Sequence, residues 1–216
     1  MYKYPIIVFE GIEGSGKSFH IKNLEKYLKK KKIKYIKLRE PGGSKNSEKI
    51  RNLILNKSSN FSRLTDLFLY MGARNENYQS IIKKNYKKKI ILIDRFTDST
   101  IAYQHYGMDI NKKLIIHLNK FILKDIKPSF TFLNIVNMKN LRLRINKRLK
   151  KNRYDNFNIN FYKKVQNGYI QLSKNKKNYM IVDSNKPIDE NKKIIKKRIN
   201  SLLLIWILSH QIILHL

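Results

Sequence analysis

The chain contains no cysteine and few acidic residues, with 15 Asp and Glu against 47 Lys and Arg. The absence of cysteine excludes disulfides, thiolate metal ligands and a cysteine nucleophile, and it suits a reducing compartment. The first apolar run is only about six residues long, which is too short for a secretory signal peptide. We therefore expect a cytoplasmic protein.

The shortage of acids gives a formal net charge of +32 over 216 residues. Such a charge attracts polyanions, so a basic nucleic-acid-binding protein is one hypothesis for the chain. The excess is mostly lysine, however, and it is spread along a sequence that is also rich in Asn, Ile and Tyr. This is the composition that an A+T-rich genome produces, and we expect no nucleic-acid partner.

Glycine is also scarce, but three of the eight glycines fall in one short segment. The segment consists of Gly11, Ile12, Glu13, Gly14, Ser15, Gly16, Lys17 and Ser18, and it matches the phosphate-loop pattern at every fixed position. The apolar run over 4–9 before it predicts a buried parallel strand. Ile21, Leu24 and Leu28 after it have helical spacing. This context favours a phosphate site over a plain glycine turn.

The backbone and two side chains of this segment carry its predicted chemistry. The glycines let successive N–H groups point inward as an anion-binding nest, at the positive end of the following helix. Lys17 is placed to reach the β- and γ-phosphates, and the Ser18 hydroxyl to ligate Mg²⁺. ATP and Mg²⁺ are therefore the predicted cofactors.

The rest of the chain alternates between strand and helix patterns. Strands are predicted at 4–9, 33–38, 89–94, 130–136 and 179–183, and helices from Lys17 and over 47–56, 63–85, 111–124, 138–149, 159–175 and 189–208. This alternation predicts an α/β fold with a five-stranded parallel sheet and helices on both faces, the three-layer P-loop NTPase arrangement. The third strand ends in Asp94, which has the form of a Walker-B acid that organises Mg²⁺.

The sequence narrows the class of phosphate-loop protein. A guanine-binding protein carries an Asn-Lys-x-Asp string, but residues 56–59 lack the acid and in 185–189 it stands one place late. A short chain with a basic connector late in the sequence favours a small-molecule kinase, which closes a lid to exclude water from the transferring phosphoryl group.

Several further strings occur in one order along the chain. They are Arg39-Glu40-Pro41-Gly42-Gly43, Lys49-Ile50-Arg51, Tyr70-Met71-Gly72-Ala73-Arg74, Asp94-Arg95-Phe96, Ser99-Thr100-Ile101-Ala102-Tyr103-Gln104, Asn152-Arg153-Tyr154-Asp155, Phe161-Tyr162 and 182–188. Together with the phosphate loop, these strings resemble the bacterial form of the thymidylate (dTMP) kinases over residues 4 to 200. The resemblance implies the reaction ATP + dTMP → ADP + dTDP, a step in dTTP biosynthesis. Another small P-loop nucleotide or nucleoside kinase stays open as an alternative.

The resemblance also implies roles for single residues. For dTMP, it implies that Glu13 binds the 3′-hydroxyl, Arg51 and Arg95 hold the phosphate, Tyr70 stacks on thymine, Arg74 and Gln104 contact the base, and Tyr103 crowds the sugar 2′ position. Glu10 and Asp94 would orient the waters of Mg²⁺, since this ion keeps several waters. Surface charge and core packing are the competing interpretations of these arginines and of Tyr70.

The predicted lid spans about 139–157 and is the expected source of a catalytic arginine. The phosphate loop offers no cation besides Lys17, and a positioned arginine is worth ~10³–10⁵ in the rate of phosphoryl transfer. Matching to the family lid points to Arg148 first, then to Arg144 and Arg153, which would act with Lys17 and Arg95. A solvated basic helix is the competing interpretation.

The sequence departs from the family at two places. The family lid usually reads Asp-Arg-x-Glu, but residues 152–155 begin with Asn and end with Asp, and Asn156, Asn158 and Asn160 stand where acids are expected. A glycine-rich turn with an arginine often follows the Tyr-Gln pair, where residues 105–108 read His-Tyr-Gly-Met. Both departures concern motions around the site more than the reaction itself.

The last fifteen residues, 202–216, are apolar nearly all round and form a predicted tail outside a kinase domain of residues 1–201. As a helix the tail spans about 22 Å, short of the ~30 Å hydrocarbon core of a bilayer. A terminal helix packed on the body or on a partner chain, a frayed tail and a membrane contact are the alternatives. We expect no membrane partner, and the sequence leaves a homodimer open.

Overall fold

The computed structural model describes residues 4–86, 88–149 and 152–211, with side chains to residue 206. Five parallel strands form one sheet in the order β2-β3-β1-β4-β5. The strands are β1 Ile6–Glu10, β2 Tyr35–Arg39, β3 Ile90–Asp94, β4 Phe130–Ile135 and β5 Tyr179–Asp183. The predicted α/β fold with a five-stranded parallel sheet is confirmed, with strand ends shifted by one or two residues.

Helices connect the strands. They are α1 Lys17–Lys30, α2 Lys45–Leu55, α3 Arg63–Asn77, α4 Lys83–Asn85, α5 Thr97–Thr100, α6 Lys112–Leu123, α7 Met138–Asn146, α8 Ile159–Ser173 and α9 Ile188–Gln211. The predicted helix 63–85 is continuous, because a π-helical turn over Tyr78–Ile82 joins α3 to α4. Another π-helical segment, Ile101–Gly107, extends α5, and a 3₁₀ turn, Arg153–Asn156, lies in the lid.

The sheet is the middle of three layers because its central strands are buried on both faces. Every residue of β1 is buried, and its side chains alternate between the two faces. Ile7 and Phe9 pack with residues of α1 and α9, including Leu24 and Ile199. The alternate residues of β1 pack on the other side with the π-helical turn and α6. Helices cover both faces of the sheet. Because the strands are parallel, their carboxyl ends lie together at one edge of the sheet.

The carboxyl ends of β1 and β3 bring the predicted motifs together. Phe9 pairs with Asp94, so the phosphate loop that follows β1 starts beside the Walker-B acid. Arg39 at the end of β2 pairs with Asp94 from the other side. Open parallel sheets bind ligands at this edge.

The helix α9 extends through residue 211, three residues beyond its predicted end. Leu203 is buried against the sheet layer, and the rings of Tyr4 and Trp206 lie 4.5 Å apart. The start of the predicted tail therefore continues the last helix along the body, whereas 212–216 lie outside the described residues. Within the part of the chain that the structure describes, no helix is long and apolar enough to cross a membrane. A separate role for 202–216 stays a prediction.

Asn158, one of the asparagines at positions where the family resemblance implies acids, immediately precedes α8. Its side-chain oxygen accepts a hydrogen bond from the Phe161 backbone N–H at 2.9 Å, which is the geometry of a helix N-cap. We expect Asn158→Ala to lower the free energy of unfolding by about 1 kcal/mol, measured by urea denaturation. Asn160→Ala, which changes an exposed residue of the same turn, is the control. Equal losses for both variants would contradict the capping role.

Candidate active site

The phosphate loop has the backbone geometry that its glycines permit. Gly16 has a φ of 86° and immediately precedes α1, so the loop turns into the helix through a left-handed residue. Gly11 has a φ of 135°, and a Cβ there would lie 2.1 Å from the Asn134 carbonyl oxygen. Glycine at position 11 therefore lets the loop pass close to β4.

Lys17 lies across this loop. Its Nζ donates to the carbonyl oxygens of Gly11 and Ile12, both at 2.9 Å. The side chain is only 7% exposed. Burial, reinforced by the nearby Arg95, lowers the pKa of Lys17 to about 8. The cation is thus held inside the loop, where phosphate oxygens would meet both its charge and the positive end of α1.

The Ser18 hydroxyl and Asp94 form the oxygen pair that the sequence predicts for Mg²⁺. Ser18 Oγ donates to Asp94 Oδ2 at 3.1 Å. The described residues contain no cluster of three or more His, Cys, Asp or Glu side chains that could hold a metal by themselves. A hydroxyl and a single carboxylate nevertheless fit Mg²⁺, because this ion is usually held by one or two carboxylates, substrate phosphates and water.

Glu13 connects the phosphate loop to the predicted dTMP residues. Its Oε1 accepts a hydrogen bond from Arg95 Nη2 at 2.8 Å, and its Oε2 accepts one from the Tyr103 hydroxyl. Burial alone would raise the pKa of Glu13, but Arg95 and Lys17 outweigh it and lower the pKa. The carboxylate therefore stays charged between two cations.

A cavity of about 420 Å³ opens over these groups. Its lining includes the phosphate-loop residues Glu13, Gly14, Gly16, Lys17 and Ser18, together with Asp94. It also includes Arg51, Tyr70, Arg74, Arg95, Tyr103 and Gln104, and the lid residue Arg148. The structure thus brings five of the eight predicted ATP residues and all the predicted dTMP residues to one cavity.

Three phosphate-loop positions face away from the cavity. Gly11, Ile12 and Ser15 do not line it, and Ile12 and Ser15 are fully buried behind the loop. The carbonyl oxygens of Gly11 and Ile12 instead receive the Lys17 ammonium. These three residues therefore shape the loop, and the carbonyl oxygens of Gly11 and Ile12 hold Lys17.

Glu10, a predicted Mg²⁺ residue, also does not line the cavity. It is 1% exposed, and its two carboxylate oxygens accept hydrogen bonds from the Phe96 N–H at 2.8 Å and the Ser99 hydroxyl at 2.5 Å. Burial, with a smaller contribution from Asp98, raises the pKa of Glu10 to about 7. Contact of Glu10 with the waters of Mg²⁺ stays a prediction.

The three lid arginines point to different places. Arg148 lines the cavity and is paired with Asp155 at 2.6 Å. Arg144 donates to the carbonyl oxygens of Gly14 and Ser184, each at 2.8 Å, and so joins the lid helix to the back of the phosphate loop. Arg153 forms two hydrogen bonds with Asp66 on α3. Of the three, only Arg148 therefore faces the cavity.

Arg74 and Gln104 are both buried beside the cavity, but they differ in whether their side chains have hydrogen-bond partners. Arg74 donates to Glu40 at 2.7 Å and to Asn119 at 2.6 Å, so the protein itself fixes its guanidinium. The Gln104 side chain is fully buried, and neither its oxygen nor its nitrogen has a hydrogen-bond partner in the part of the chain that is described. Gln104 is thus a polar side chain at the cavity that a ligand would satisfy.

Arg51 and Tyr70 form one wall of the cavity. Arg51 Nη1 donates to the Pro41 carbonyl oxygen at 2.6 Å, which holds the guanidinium beside the 39–43 loop. The Tyr70 ring meets the Tyr154 ring edge to face with 6.4 Å between centroids. Tyr70 is therefore only partly covered by the core and presents an aromatic surface to the cavity.

Several cavity residues received no role from the sequence. Arg39, Glu40, Pro41, Asn152 and Tyr154 also line the cavity. They belong to the strings at 39–43 and 152–155. The position of the first string at the end of β2 was the sequence signal that could have assigned its residues to the site. Tyr169 does not line the cavity, but its hydroxyl oxygen accepts a hydrogen bond from Arg95. It lies in no such string.

Comparisons with known proteins identify the family. The family model described as thymidylate kinase matches residues 9–195. A thymidylate kinase of Sulfurihydrogenibium sp. is 38% identical over 192 residues, covering 88% of this chain and 93% of the relative. One of Mycoplasma capricolum is 36% identical, covering 85% and 89%.

A solved structure has a similar fold over most of the chain. The crystal structure of thymidylate kinase from Ehrlichia chaffeensis has a TM-score of 0.74 and 30% identity, and the match covers 92% of this chain and 99% of that one. Neither the family model nor the relatives favour the alternative of a nucleic-acid-binding protein. The chain belongs to the thymidylate kinase family.

Proposed function

We propose that this enzyme transfers the γ-phosphoryl group of ATP to dTMP, giving dTDP and ADP, as a step in dTTP biosynthesis. The observation that carries the proposal is the position of Glu13, which belongs to the phosphate loop and holds both Arg95 and Tyr103. A phosphate donor on the loop and a nucleotide bound at Arg95 are thereby adjacent in one cavity. Adjacent and aligned reactants are the main requirement of phosphoryl transfer.

The donor side of the proposal uses the loop and its two side chains. The loop N–H groups and the positive end of α1 bind the β- and γ-phosphates of ATP, and Lys17 neutralises charge on them. Ser18 and Asp94 would hold Mg²⁺, and the ion would supply positive charge that neutralises the charge developing on the phosphates. In the reaction, a phosphate oxygen of dTMP attacks the γ-phosphorus, and the bond to the β-phosphate oxygen of ADP breaks.

The acceptor side of the proposal uses Glu13 and the cavity residues outside the phosphate loop. Arg95 and Arg51 hold the dTMP phosphate, because the guanidinium fork matches phosphate oxygens. Glu13 accepts from the 3′-hydroxyl, and Tyr103, which lies under Arg95 with 5.1 Å between guanidinium and ring, crowds the sugar 2′ position. Tyr70 stacks on thymine, and Arg74 and Gln104 contact its polar edge.

The lid completes the proposed site. Arg148 exchanges its Asp155 partner for the transferring phosphoryl group when the lid closes over ATP. Arg144 and Arg153 hold the lid to the phosphate loop and to α3, so we assign them to lid placement. We further propose that the enzyme works in the cytoplasm, and a homodimer stays a prediction.

A coupled ADP-release assay across nucleoside monophosphates tests the proposed substrate. We expect dTMP to have the highest kcat/KM, and dGMP and dCMP to be poor substrates. The loss of the thymine methyl in dUMP should cost about 1–3 kcal/mol, which is the usual size for one small group in an apolar pocket. Equal kcat/KM values for dTMP and dGMP would instead indicate another nucleotide kinase.

A further inference from the structure

A chain of partly buried hydrogen bonds connects Arg95 to Glu10 at the end of β1. Arg95 Nη1 donates to the Tyr169 hydroxyl oxygen at 3.2 Å, and the hydroxyls of Tyr169 and Ser99 lie 2.6 Å apart. The Ser99 hydroxyl in turn donates to Glu10 Oε2 at 2.5 Å. The chain therefore runs from α8 through α5 to the end of β1.

The donor and acceptor directions along this chain are consistent. Ser99 has one hydroxyl proton, which goes to Glu10, so its oxygen accepts the proton of Tyr169. The Tyr169 oxygen is then left to accept from the Arg95 guanidinium, which can only donate. Each group in the chain therefore orients the next one.

Arg95 needs such support because its backbone is unusual. Its φ of 65° is left-handed, a conformation that few residues other than glycine adopt and that surrounding contacts must maintain. Glu10 accepts from the backbone N–H groups of Phe96 and Ser99, at 2.8 and 3.3 Å, and so holds the turn that follows Arg95. The same carboxylate thus fixes both the backbone turn and the hydroxyl chain.

Both terminal nitrogens of Arg95 are fixed by different elements. Glu13 in the phosphate loop holds Nη2 at 2.8 Å, and Tyr169 on α8 holds Nη1. Tyr169 is 1% exposed and does not line the cavity, so its hydroxyl acts on a substrate through the groups that it contacts, among them Arg95. We propose that Tyr169, supported by Ser99 and Glu10, is a positioning residue that aims the Arg95 guanidinium at the phosphate of the acceptor nucleotide. This inference rests on the proposed function.

The variant Tyr169→Phe tests the inference because it keeps the ring and removes only the hydroxyl. We expect kcat/KM for dTMP to fall about tenfold, the size of one hydrogen bond to a charged group, while the KM for ATP stays within twofold. Binding of dTMP should weaken, whereas binding of thymidine, which lacks the phosphate, should be unchanged. Calorimetry with each ligand measures this difference.

Two further variants separate positioning from general loosening. Tyr179→Phe removes a hydroxyl that bonds to Asp98, the neighbour of Ser99 on α5, and is expected to keep wild-type kcat/KM. Ser99→Ala breaks the chain between Glu10 and Tyr169, so its double mutant with Tyr169→Phe should lose no more than the larger single loss. Additive losses would indicate independent structural effects and would overturn the inference.

The activity of the wild-type enzyme on dTMP distinguishes a failure of this inference from a failure of the proposed function. If the wild type does not phosphorylate dTMP, the proposed function fails. If the wild type is active and Tyr169→Phe stays within twofold of it, or if thymidine binding weakens as much as dTMP binding, only the positioning role fails.

Discussion

Lys17→Ala should lower kcat for phosphoryl transfer by about 10³-fold, the upper range for loss of one preorganised charge-stabilising donor. The reason is the position of Lys17, which is buried in the loop with its ammonium on the carbonyl oxygens of Gly11 and Ile12. Among the loop residues 11–18, Lys17 is the residue whose side chain carries a positive charge. Steady-state turnover with saturating dTMP and ATP measures the effect.

The matched control for this variant is Lys22→Ala, which removes an exposed lysine from the same helix. We expect it to keep wild-type turnover, and we expect both proteins to unfold at a similar temperature. A folded Lys17→Ala enzyme with near-normal kcat would remove Lys17, and with it the phosphate loop, from the proposed site.

Arg148→Ala should lower kcat by ~10²-fold or more, equivalent to about 2.7 kcal/mol of barrier, with a smaller change in the KM for dTMP. Arg148 is the lid arginine that lines the cavity, and its partner Asp155 holds it near the site. Charge spreads over the transferring phosphoryl oxygens only as the reaction proceeds, so the loss should fall on kcat. Single-turnover kinetics separates this step from product release.

Two variants sharpen this prediction. Arg148→Lys should recover activity only in part, because an ammonium does not reproduce the planar guanidinium fork. Arg142→Ala removes an exposed arginine from α7 and should leave kcat unchanged. If Arg148→Ala stays within twofold of wild type, the lid does not supply the transition-state charge.

The sheet was predictable because its signals are local. Strands β1, β3 and β4 are runs of apolar residues buried on both faces, and such runs can be identified without knowing their neighbours. The helix formed by α5 and its π-helical extension was not predicted. It begins with Thr97, Asp98 and Ser99, which are weak helix formers, and four consecutive residues from 101 to 104 are buried, so the helical period is hidden.

The residues on the cavity wall were predictable where a motif carries them. Glu13, Arg95 and Tyr103 lie in three separate strings, and the parallel sheet places all three strings at one edge. The partners of the lid arginines were not predictable. Arg153 pairs with Asp66, 87 positions away, and Arg144 bonds to Gly14, 130 positions away. Such pairings depend on how the lid packs, about which the local sequence carries no signal.

Glu10 illustrates the same limit for a residue next to a motif. The resemblance to the family implied a Mg²⁺ role for it, but the direction of its side chain is set by Phe96 and Ser99 from a distant segment. The acid is thus used to build the turn that carries Arg95. No periodicity in the sequence distinguishes that use from a contact with the metal.

The central claim, transfer of a phosphoryl group from ATP to dTMP in this cavity, is tested most directly by following a radiolabelled γ-phosphate. The account predicts that label from ATP appears in dTDP with an equal amount of ADP, that Lys17→Ala forms both products about 10³-fold more slowly, and that Lys22→Ala forms both at the wild-type rate. Release of labelled inorganic phosphate without labelled dTDP, or equal dTDP formation by Lys17→Ala, would contradict it.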